Sequence, residues 1–97
     1  MKRERTNPNP RRKGWDKKTK RQRIIMGLQA AKMEEVECHS GYYRAFKGER
    51  GWYYVGRAGA LRFNPRKNSS SDSISLGESG THYFIRLGEE KYEKGEI

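Results

Sequence analysis

Positively charged side chains are concentrated at the start of the chain, around a single tryptophan. Residues 1–23 hold eleven Lys or Arg residues against Glu4 and Asp16, while the whole 97-residue chain has a net charge of +10. Flexible basic segments can follow a phosphate backbone and become ordered on contact with it, and an indole ring can stack on a base. This region therefore predicts contacts to nucleic acid. Its candidate residues are Arg11, Arg12, Lys13, Trp15, Lys17, Lys18, Lys20, Arg21 and Arg23.

Two different roles would also account for the same basic run. A solvated tail that increases solubility would have a similar composition, and the sequence KKTK at residues 17–20 suits a nuclear-import signal. However, the excess of nine positive charges within 23 residues is larger than solubility requires. We therefore favour a polyanionic partner, with nucleic acid ahead of an anionic membrane surface, because the segment lacks an apolar face.

The stretch GERGWYYVGRAG at residues 48–59 places three aromatic residues between arginines and glycines. The flanking sequences YYRAFK at 42–47 and WYYVGR at 52–57 have the period-two alternation of strands, and GERG suits a four-residue hairpin loop. Such a loop pairs Lys47 with Trp52, and every second residue along the two strands then lies on the same face. The sequence therefore predicts a β-hairpin of fixed register.

This register gives the hairpin two chemically different faces. The first carries Tyr43, Ala45, Trp52 and Tyr54, and the second carries Tyr42, Arg44, Phe46, Tyr53, Val55 and Arg57. Because burying unpaired arginines is costly, we expect the first face to be core and the second to be exposed. An exposed aromatic and arginine-rich face would stack bases and contact phosphates. Its candidate residues are Tyr42, Arg44, Tyr53 and Arg57, with Arg62, Arg66 and Lys67 nearby. The alternative is that a helix covers this face while its arginines reach solvent at the edges.

The sequence RGWYYVGR at residues 50–57 resembles the octapeptide motif of RNA-recognition domains. The matching positions are Arg50, Gly51, Trp52, Tyr54 and Val55. Tyr53 stands where the motif has a small residue, and Arg57 where it has an aromatic one. The resemblance implies RNA binding on a stacking surface, but the first-strand motif that accompanies the octapeptide is not apparent upstream.

A second resemblance, over residues 41–61, is to the GIY-YIG endonucleases. Their core is Gly, an apolar residue and Tyr, then a spacer, then Tyr, an apolar residue and Gly. Here Gly41-Tyr42-Tyr43 is followed by ten residues and then by Tyr54-Val55-Gly56. The resemblance implies that Tyr43, Tyr54 and one metal-binding glutamate would be catalytic, and the glutamate candidates are Glu78, Glu89 and Glu90. Gly59 and Pro65 discourage the helix that follows the core in this family.

The sequence contains few residues that could form a metal site or a reactive thiol site. One cysteine, Cys38, and two histidines, His39 and His82, cannot form a structural zinc site within one chain. A Cys38–His39 nucleophile pair stays open. We therefore predict no metal, no cofactor and no catalytic residue, and the sequence favours binding over catalysis.

The elements that must position these residues indicate an α+β fold. Residues 1–18 contain two prolines and almost nothing to bury, which predicts a flexible, disordered basic arm. Residues 19–38 predict one helix with Thr19, or Asp16 before it, as its cap, although Gly27 costs about 1 kcal/mol there relative to alanine. Residues 41–87, which include THYFIRL at 81–87, predict a small antiparallel sheet of four to five strands. The acidic tail at 88–97 completes a single small domain over residues 19–97.

The predicted location is intracellular, because no apolar run is long enough for a signal peptide or a membrane span and no internal disulfide is possible. The favoured function is nucleic-acid binding, with RNA slightly ahead of DNA. An alternative is a protein-binding accessory factor or inhibitor from a compact genome, in which the basic arm engages an acidic partner and a sheet edge accepts a strand. A degenerate or truncated nuclease of the GIY-YIG type is the third possibility.

Overall fold

The computed structural model describes residues 12–97, so the predictions for residues 1–11, Arg11 among them, lie outside the described residues. The elements in chain order are α1 (Arg12–Asp16), α2 (Lys20–Ala30), β1 (Glu34–Val36), β2 (Tyr43–Lys47), β3 (Trp52–Gly56), β4 (Leu61–Asn64), β5 (Ile74–Ser75) and α3 (Gly77–Glu93). No helix in this described range is both long and apolar enough to cross a lipid bilayer.

The five strands form one antiparallel sheet in which every strand lies beside its neighbour in sequence. The predicted α+β class and the antiparallel sheet are therefore confirmed. The predicted hairpin register is also confirmed, because Lys47 pairs with Trp52 and Tyr43 with Gly56. The four-residue loop between β2 and β3 is closed by a hydrogen bond from the Gly48 N–H to the Gly51 carbonyl oxygen (2.9 Å).

Hydrogen-bonded caps fix both ends of α2. The Thr19 hydroxyl accepts from the Gln22 backbone N–H (3.1 Å), and the Gln22 side chain accepts from the Thr19 N–H (2.8 Å), which is a capping box. At the other end Lys32 has a left-handed conformation (φ 66°), and the Met33 N–H donates to the Leu28 carbonyl oxygen (3.1 Å). This arrangement is a Schellman motif, which ends the helix.

The helix predicted over residues 19–38 is therefore wrong in its second half. Residues Glu34–Val36 form β1 and pair with β2, so that Glu35 lies opposite Phe46. A helix stop is usually marked by glycine, which takes a positive φ without strain. Here Lys32 takes that conformation, so the sequence carries no stop signal at the position where the helix ends.

The strand predicted at residues 81–87 is also wrong, because this segment lies within α3. The buried residues Thr81, Phe84 and Gly88 recur at intervals of three and four, as on one face of a helix. The sheet thus ends at Ser75 rather than near residue 87. The predicted acidic tail at 88–97 is largely the C-terminal part of α3, which runs to Glu93.

The helices cover one face of the sheet and form the core with it. The core residues are Ile24, Ile25, Leu28, Phe46, Tyr53, Val55, Leu61 and Phe84. The hairpin face expected to be exposed is therefore the one that the helices cover, and the alternative in which a helix covers it is correct. The physical reason is β4, whose Leu61 and Phe63 pair with Val55 and Tyr53 and make this the more apolar face.

Trp15 anchors the segment before α2 to the domain. Its side chain is only 1% exposed, and its ring centroid lies 5.6 Å from that of Tyr92 in α3. Gly14 allows this approach, because any side chain there would overlap the Tyr92 hydroxyl. Within the predicted arm of residues 1–18, the described part from residue 12 onward is therefore a short helix packed on α3, because burying an indole yields a large hydrophobic gain.

Candidate nucleic-acid interface

Four of the predicted basic residues lie together at the end of the sheet where β3 stops. We call this cluster of Lys20, Arg21, Arg44 and Arg57 the basic end. The Arg21 guanidinium lies 3.5 Å from the Val55 carbonyl oxygen, and Arg44 is the cross-strand partner of Val55. The Lys20 side chain packs against Gly59, in the same turn that carries Arg57. Residues from α2, β2 and the β3–β4 turn are thus brought to one end of the sheet.

Arg44 is held by a carboxylate that the sequence analysis missed. Its Nε and Nη2 donate to the two carboxylate oxygens of Glu35, both at 2.7 Å, and its guanidinium lies 5.7 Å from the Phe46 ring. The hydrogen bonds from Arg44 lower the pKa of Glu35, and the charge of Arg21 adds to this effect. The same bonds raise the pKa of Arg44. Glu35 therefore orients Arg44 and offsets one positive charge of the basic end.

Arg57 contacts the backbone just before Tyr42 at this end of the sheet. The Arg57 guanidinium donates to the Gly41 carbonyl oxygen (3.2 Å), one residue before Tyr42. The Tyr42 side chain is 43% exposed, and its ring lies against Gly56, the last residue of β3. The ring therefore lies on the face of the sheet that carries Tyr43 and Tyr54, opposite to the face where Arg21 and Arg44 lie, so the expectation that Tyr42 shares a face with Arg44 is wrong.

Arg12 is held by acidic residues and does not join the basic end. Its guanidinium forms ion pairs with Glu93 (2.8 Å), with Asp16 (3.2 Å) and with Glu89. Two of these carboxylates belong to α3, so the contacts connect α1 to α3. With three carboxylates around it, Arg12 is a weak candidate for binding a phosphate.

The other candidates before and within α2 surround Trp15 and Tyr92. Arg23 donates to the Asp16 carbonyl oxygen (3.1 Å) and lies 5.8 Å from the Trp15 ring, while Lys18 Nζ lies 5.4 Å from the Tyr92 ring. Lys13 and Lys17 are exposed. Trp15 itself is buried, so it anchors this segment and has no free ring face for a base.

Three further candidates belong to the opposite face of the sheet. Arg62 donates to the Ser73 hydroxyl (2.8 Å), and Lys67 pairs with Asp72 (3.1 Å). Arg66 is exposed in the loop at residues 65–73, which crosses the face that the helices leave uncovered. The structure therefore does not bring Arg62, Arg66 and Lys67 onto the helix side of the sheet, where Arg21 and Arg44 lie.

Tyr54 and Tyr53 are both buried, on opposite sides of β3. The Tyr54 hydroxyl donates to Asn68 Oδ1 (2.9 Å) under the loop at 65–73, and burial raises its pKa. Tyr53 packs between Phe63 and Phe84, with ring centroids 4.6 and 5.5 Å away. The expectation that Tyr53 is an exposed stacking residue is therefore wrong. The octapeptide of residues 50–57 presents neither Tyr53 nor Tyr54 to solvent.

The residues that the nuclease resemblance implies are not assembled into one site. Tyr43 and Tyr54 share the loop-covered face, with ring centroids 6.3 Å apart. The glutamate candidates Glu78, Glu89 and Glu90 lie on α3, which packs on the other face. The segment after the core is strand β4 instead of a helix. Among residues 12–97, no three His, Cys, Asp or Glu side chains are close enough together to hold a metal ion.

Comparison of the chain with protein-family models, with curated proteins and with solved structures gives no match. A functional proposal for this chain therefore depends on the side chains described above, of which the basic end is the most coherent group.

Proposed function

We propose that this protein binds nucleic acid, RNA ahead of DNA, with the basic end contacting phosphates. The main support is that Lys20 and Arg21 of α2 lie at the same end of the sheet as Arg57, which is distant from them in sequence. Lys20 and Arg57 are exposed, and Arg21 is half-buried beside them. Arginine forks match phosphate geometry and stay charged at all physiological pH values. A pre-formed cluster of this kind provides the cations that a phosphate backbone requires.

The charge around the cluster is mixed but predominantly positive. Glu35 is paired with Arg44, and Glu78 lines a shallow pocket together with Lys20. Lys13 and Lys17 lie close in sequence to Lys20 and add exposed positive charge. A net charge of +10 attracts polyanions over distances of about one Debye length, roughly 8 Å at physiological salt. RNA is favoured because Arg57 lies next to the backbone of the exposed Tyr42, and an arginine near an exposed aromatic residue suits bases that are not stacked in a duplex.

A fluorescence-anisotropy titration at two salt concentrations tests the proposal. The labelled probes are an RNA strand and a DNA strand of about twelve nucleotides, a length within the usual site sizes. Binding should weaken steeply with salt, with log K falling by about 0.7 per log unit of salt for each phosphate contacted in a single strand. Failure to bind any probe at low salt would overturn the proposal.

A pair of charge reversals tests where the binding takes place. Arg57→Glu alters the basic end, whereas Arg86→Glu makes the same charge change at an exposed position on α3, in a groove lined by Glu89 and Glu90. We expect Arg57→Glu to weaken binding roughly tenfold at low salt and Arg86→Glu to have a much smaller effect. Equal losses would mean that net charge alone drives binding, which would contradict a role for the basic end.

A protein-binding accessory role is the second candidate. The observation that favours it is the outer edge of β1, which has no paired strand among residues 12–97 and carries the exposed Glu34. An unpaired edge can accept an extended segment of a partner. Charged side chains on an edge strand also discourage such pairing. We therefore rank the accessory role below nucleic-acid binding. Absence of any salt-sensitive binding to RNA or DNA would leave this role as the better candidate.

A further inference from the structure

A groove between the end of α2, the β2–β3 loop and α3 is lined by side chains that the proposed function does not use. It has a volume of about 580 Å³ and lies at the end of the sheet opposite to the basic end. Its apolar lining comes from Met33, Phe84 and Tyr53. Met33 also packs against the loop, because a Cβ on Gly48 would stand 3.1 Å from its Sδ. The volume falls within the range of roughly 300–1,000 Å³ that is typical of small-molecule sites.

The hydroxyl of Tyr53 is an unpaired polar group in this groove. The Tyr53 side chain is only 9% exposed, and its hydroxyl has no hydrogen-bond partner among residues 12–97. Within the same residues, the unpaired polar side-chain atoms that are completely enclosed belong to Arg21 and Arg23. The Tyr53 hydroxyl is therefore reachable from the groove. A buried hydroxyl without a partner is unfavourable until a bound molecule completes its hydrogen bond.

The groove also holds two cations that form no ion pair with residues 12–97. These are Lys32 and Arg50, and both are exposed. Burial raises the pKa of Tyr53, while the nearby charge of Arg50 opposes this shift and the Tyr83 hydroxyl adds to it. The Arg50 guanidinium and the Tyr83 hydroxyl thus lie near the hydroxyl of Tyr53. Hydrogen-bond donors from the loop, from β3 and from α3 are therefore brought to one place.

The charges that line the groove select the charge of a ligand. Lys32 and Arg50 are positive and Glu49 is negative, so the lining has a net charge of +1. One carboxylate matches this charge, whereas a phosphate monoester carries about −1.5 to −2 at neutral pH and exceeds it. An arginine also binds a carboxylate through two parallel hydrogen bonds. The apolar lining and the ring of Tyr83, which is 63% exposed, suit an aromatic group beside that carboxylate.

We propose that this groove is a binding site for a small molecule that joins one carboxylate to an aromatic ring. The carboxylate accepts hydrogen bonds from the Arg50 guanidinium and the Tyr53 hydroxyl, and Lys32 adds a favourable charge. The aromatic ring packs against Phe84 and Met33. The site does not depend on nucleic-acid binding, because it shares no residue with the basic end.

Titration of the full chain with phenylpropionate, followed by two-dimensional NMR of the isotope-labelled protein, tests the proposal. We expect saturable shifts of the backbone signals at residues 31–33 and 48–50, with a Kd of about 1 mM or below for so small a ligand. The neutral amide of the same compound should bind at least about tenfold more weakly, because the charged hydrogen bonds to Arg50 are lost. Phenyl phosphate should also bind more weakly than phenylpropionate, and tighter binding of the phosphate would overturn the assignment of a carboxylate.

Tyr53→Phe is the most informative variant, because it removes only the hydroxyl. Since this hydroxyl has no partner in the described protein, Tyr53→Phe should melt at the same temperature as the parent or higher. It should nevertheless bind phenylpropionate about fivefold more weakly. Arg50→Gln should weaken binding about tenfold. Arg86→Gln is the matched control, because Arg86 is an exposed arginine of α3 outside this groove, and it should bind like the parent.

Three results would overturn the proposal. The first is the absence of saturable shifts up to about 10 mM phenylpropionate, a concentration well above the expected Kd. The second is equal binding of the acid and its amide, or equal losses in Arg50→Gln and Arg86→Gln, because either would mean that the contact is unspecific. The third is a clearly lower Tm in Tyr53→Phe, which would show that the hydroxyl is used by the fold and is not free for a ligand.

Discussion

Gly27 of α2 and Gly88 of α3 lie against each other where the two helices cross. A Cβ built on Gly88 would stand 2.7 Å from the Gly27 backbone nitrogen, and one on Gly27 would overlap the Phe84 carbonyl group. The atoms that such a Cβ would meet belong to the backbone and cannot rotate away. The two helices would therefore have to move apart. Gly27→Ala and Gly88→Ala should each destabilise the protein by about 1–3 kcal/mol despite the better helix propensity of alanine.

Thermal unfolding followed by circular dichroism checks this prediction. A loss of 1 kcal/mol should lower Tm by about 4–8 °C in a domain of this size. Gly41→Ala is the matched control, because no atom lies within 4 Å of a Cβ at that position. An unchanged or higher Tm in Gly27→Ala would show that the helices are not in backbone contact.

Gly88 also helps to explain why α3 was not predicted from the sequence. Gly80 and Gly88 lower its intrinsic helix propensity, and the local alternation in THYFIRL imitates a strand. Tertiary contacts stabilise this helix, because Gly88 allows close contact with α2 and Phe84 packs in the core. Neither effect can be recognised without knowing that α2 lies opposite.

The ion pair between Glu35 and Arg44 leads to a prediction of tighter binding. Glu35→Gln removes the carboxylate whose negative charge offsets one positive charge of the basic end. The affinity for RNA at low salt should therefore rise, by up to about fivefold, because an exposed ion pair contributes only a small interaction energy. Glu49→Gln makes the same charge change in the β2–β3 loop, at the opposite end of the sheet, and should have less effect. Weaker binding by Glu35→Gln would mean that Arg44 must be held in place in order to bind phosphate.

The pH dependence of this pair follows from the lowered pKa of Glu35, whose ordinary value is 4.5. The ionised form is favoured in the folded protein, so its contribution to stability is present above pH 4.5 and is lost as the pH falls through the lower folded pKa. The contribution is small because the side chain is 44% exposed. Near neutral pH the ion pair between Glu35 and Arg44 is fully formed. Glu35→Gln removes the same negative charge that protonation of Glu35 removes at low pH.

The candidate site was only partly predictable from the sequence. The loop GERG fixes the hairpin register locally, so the pairing of Lys47 with Trp52 could be deduced. Which face is buried depends on β4, which adds Leu61 and Phe63 to the side that carries Tyr53. The alternation of LRFN at residues 61–64 contained this signal, whereas the cost of burying Arg44 was overestimated because Glu35 could not be foreseen as its partner.

The buried hydroxyl of Tyr54 leads to a prediction for stability. Tyr54→Phe removes the hydrogen bond to Asn68 and should cost about 1 kcal/mol at neutral pH. Burial raises the pKa of Tyr54 above its ordinary value of 10.0. The contribution of Tyr54 to the free energy of unfolding is therefore fully present below pH 10, and it is lost as the pH rises through the pKa of Tyr54 in the folded protein. The fall should be smaller in Tyr54→Phe than in the parent.

Urea unfolding at neutral pH and at about pH 11 measures both effects. Tyr83→Phe is the control, because its hydroxyl belongs to the most exposed aromatic side chain of residues 12–97. An alkaline loss of stability that is the same in Tyr54→Phe and in the parent would show that Tyr54 does not resist ionisation in the folded protein.

The exposure of Trp15 distinguishes two states of the segment before α2, one anchored to the domain and one that is a free arm. In Trp52→Phe the only remaining tryptophan is Trp15, which is 1% exposed, and in Trp15→Phe it is the half-buried Trp52. Acrylamide should quench Trp15 several-fold less than Trp52, because a fully buried ring is reached only through local opening. In concentrated urea the two variants should quench alike. Equal quenching of the folded variants would mean that α1 detaches from α3 in solution, which would free the cations around Trp15 to act as a mobile basic arm.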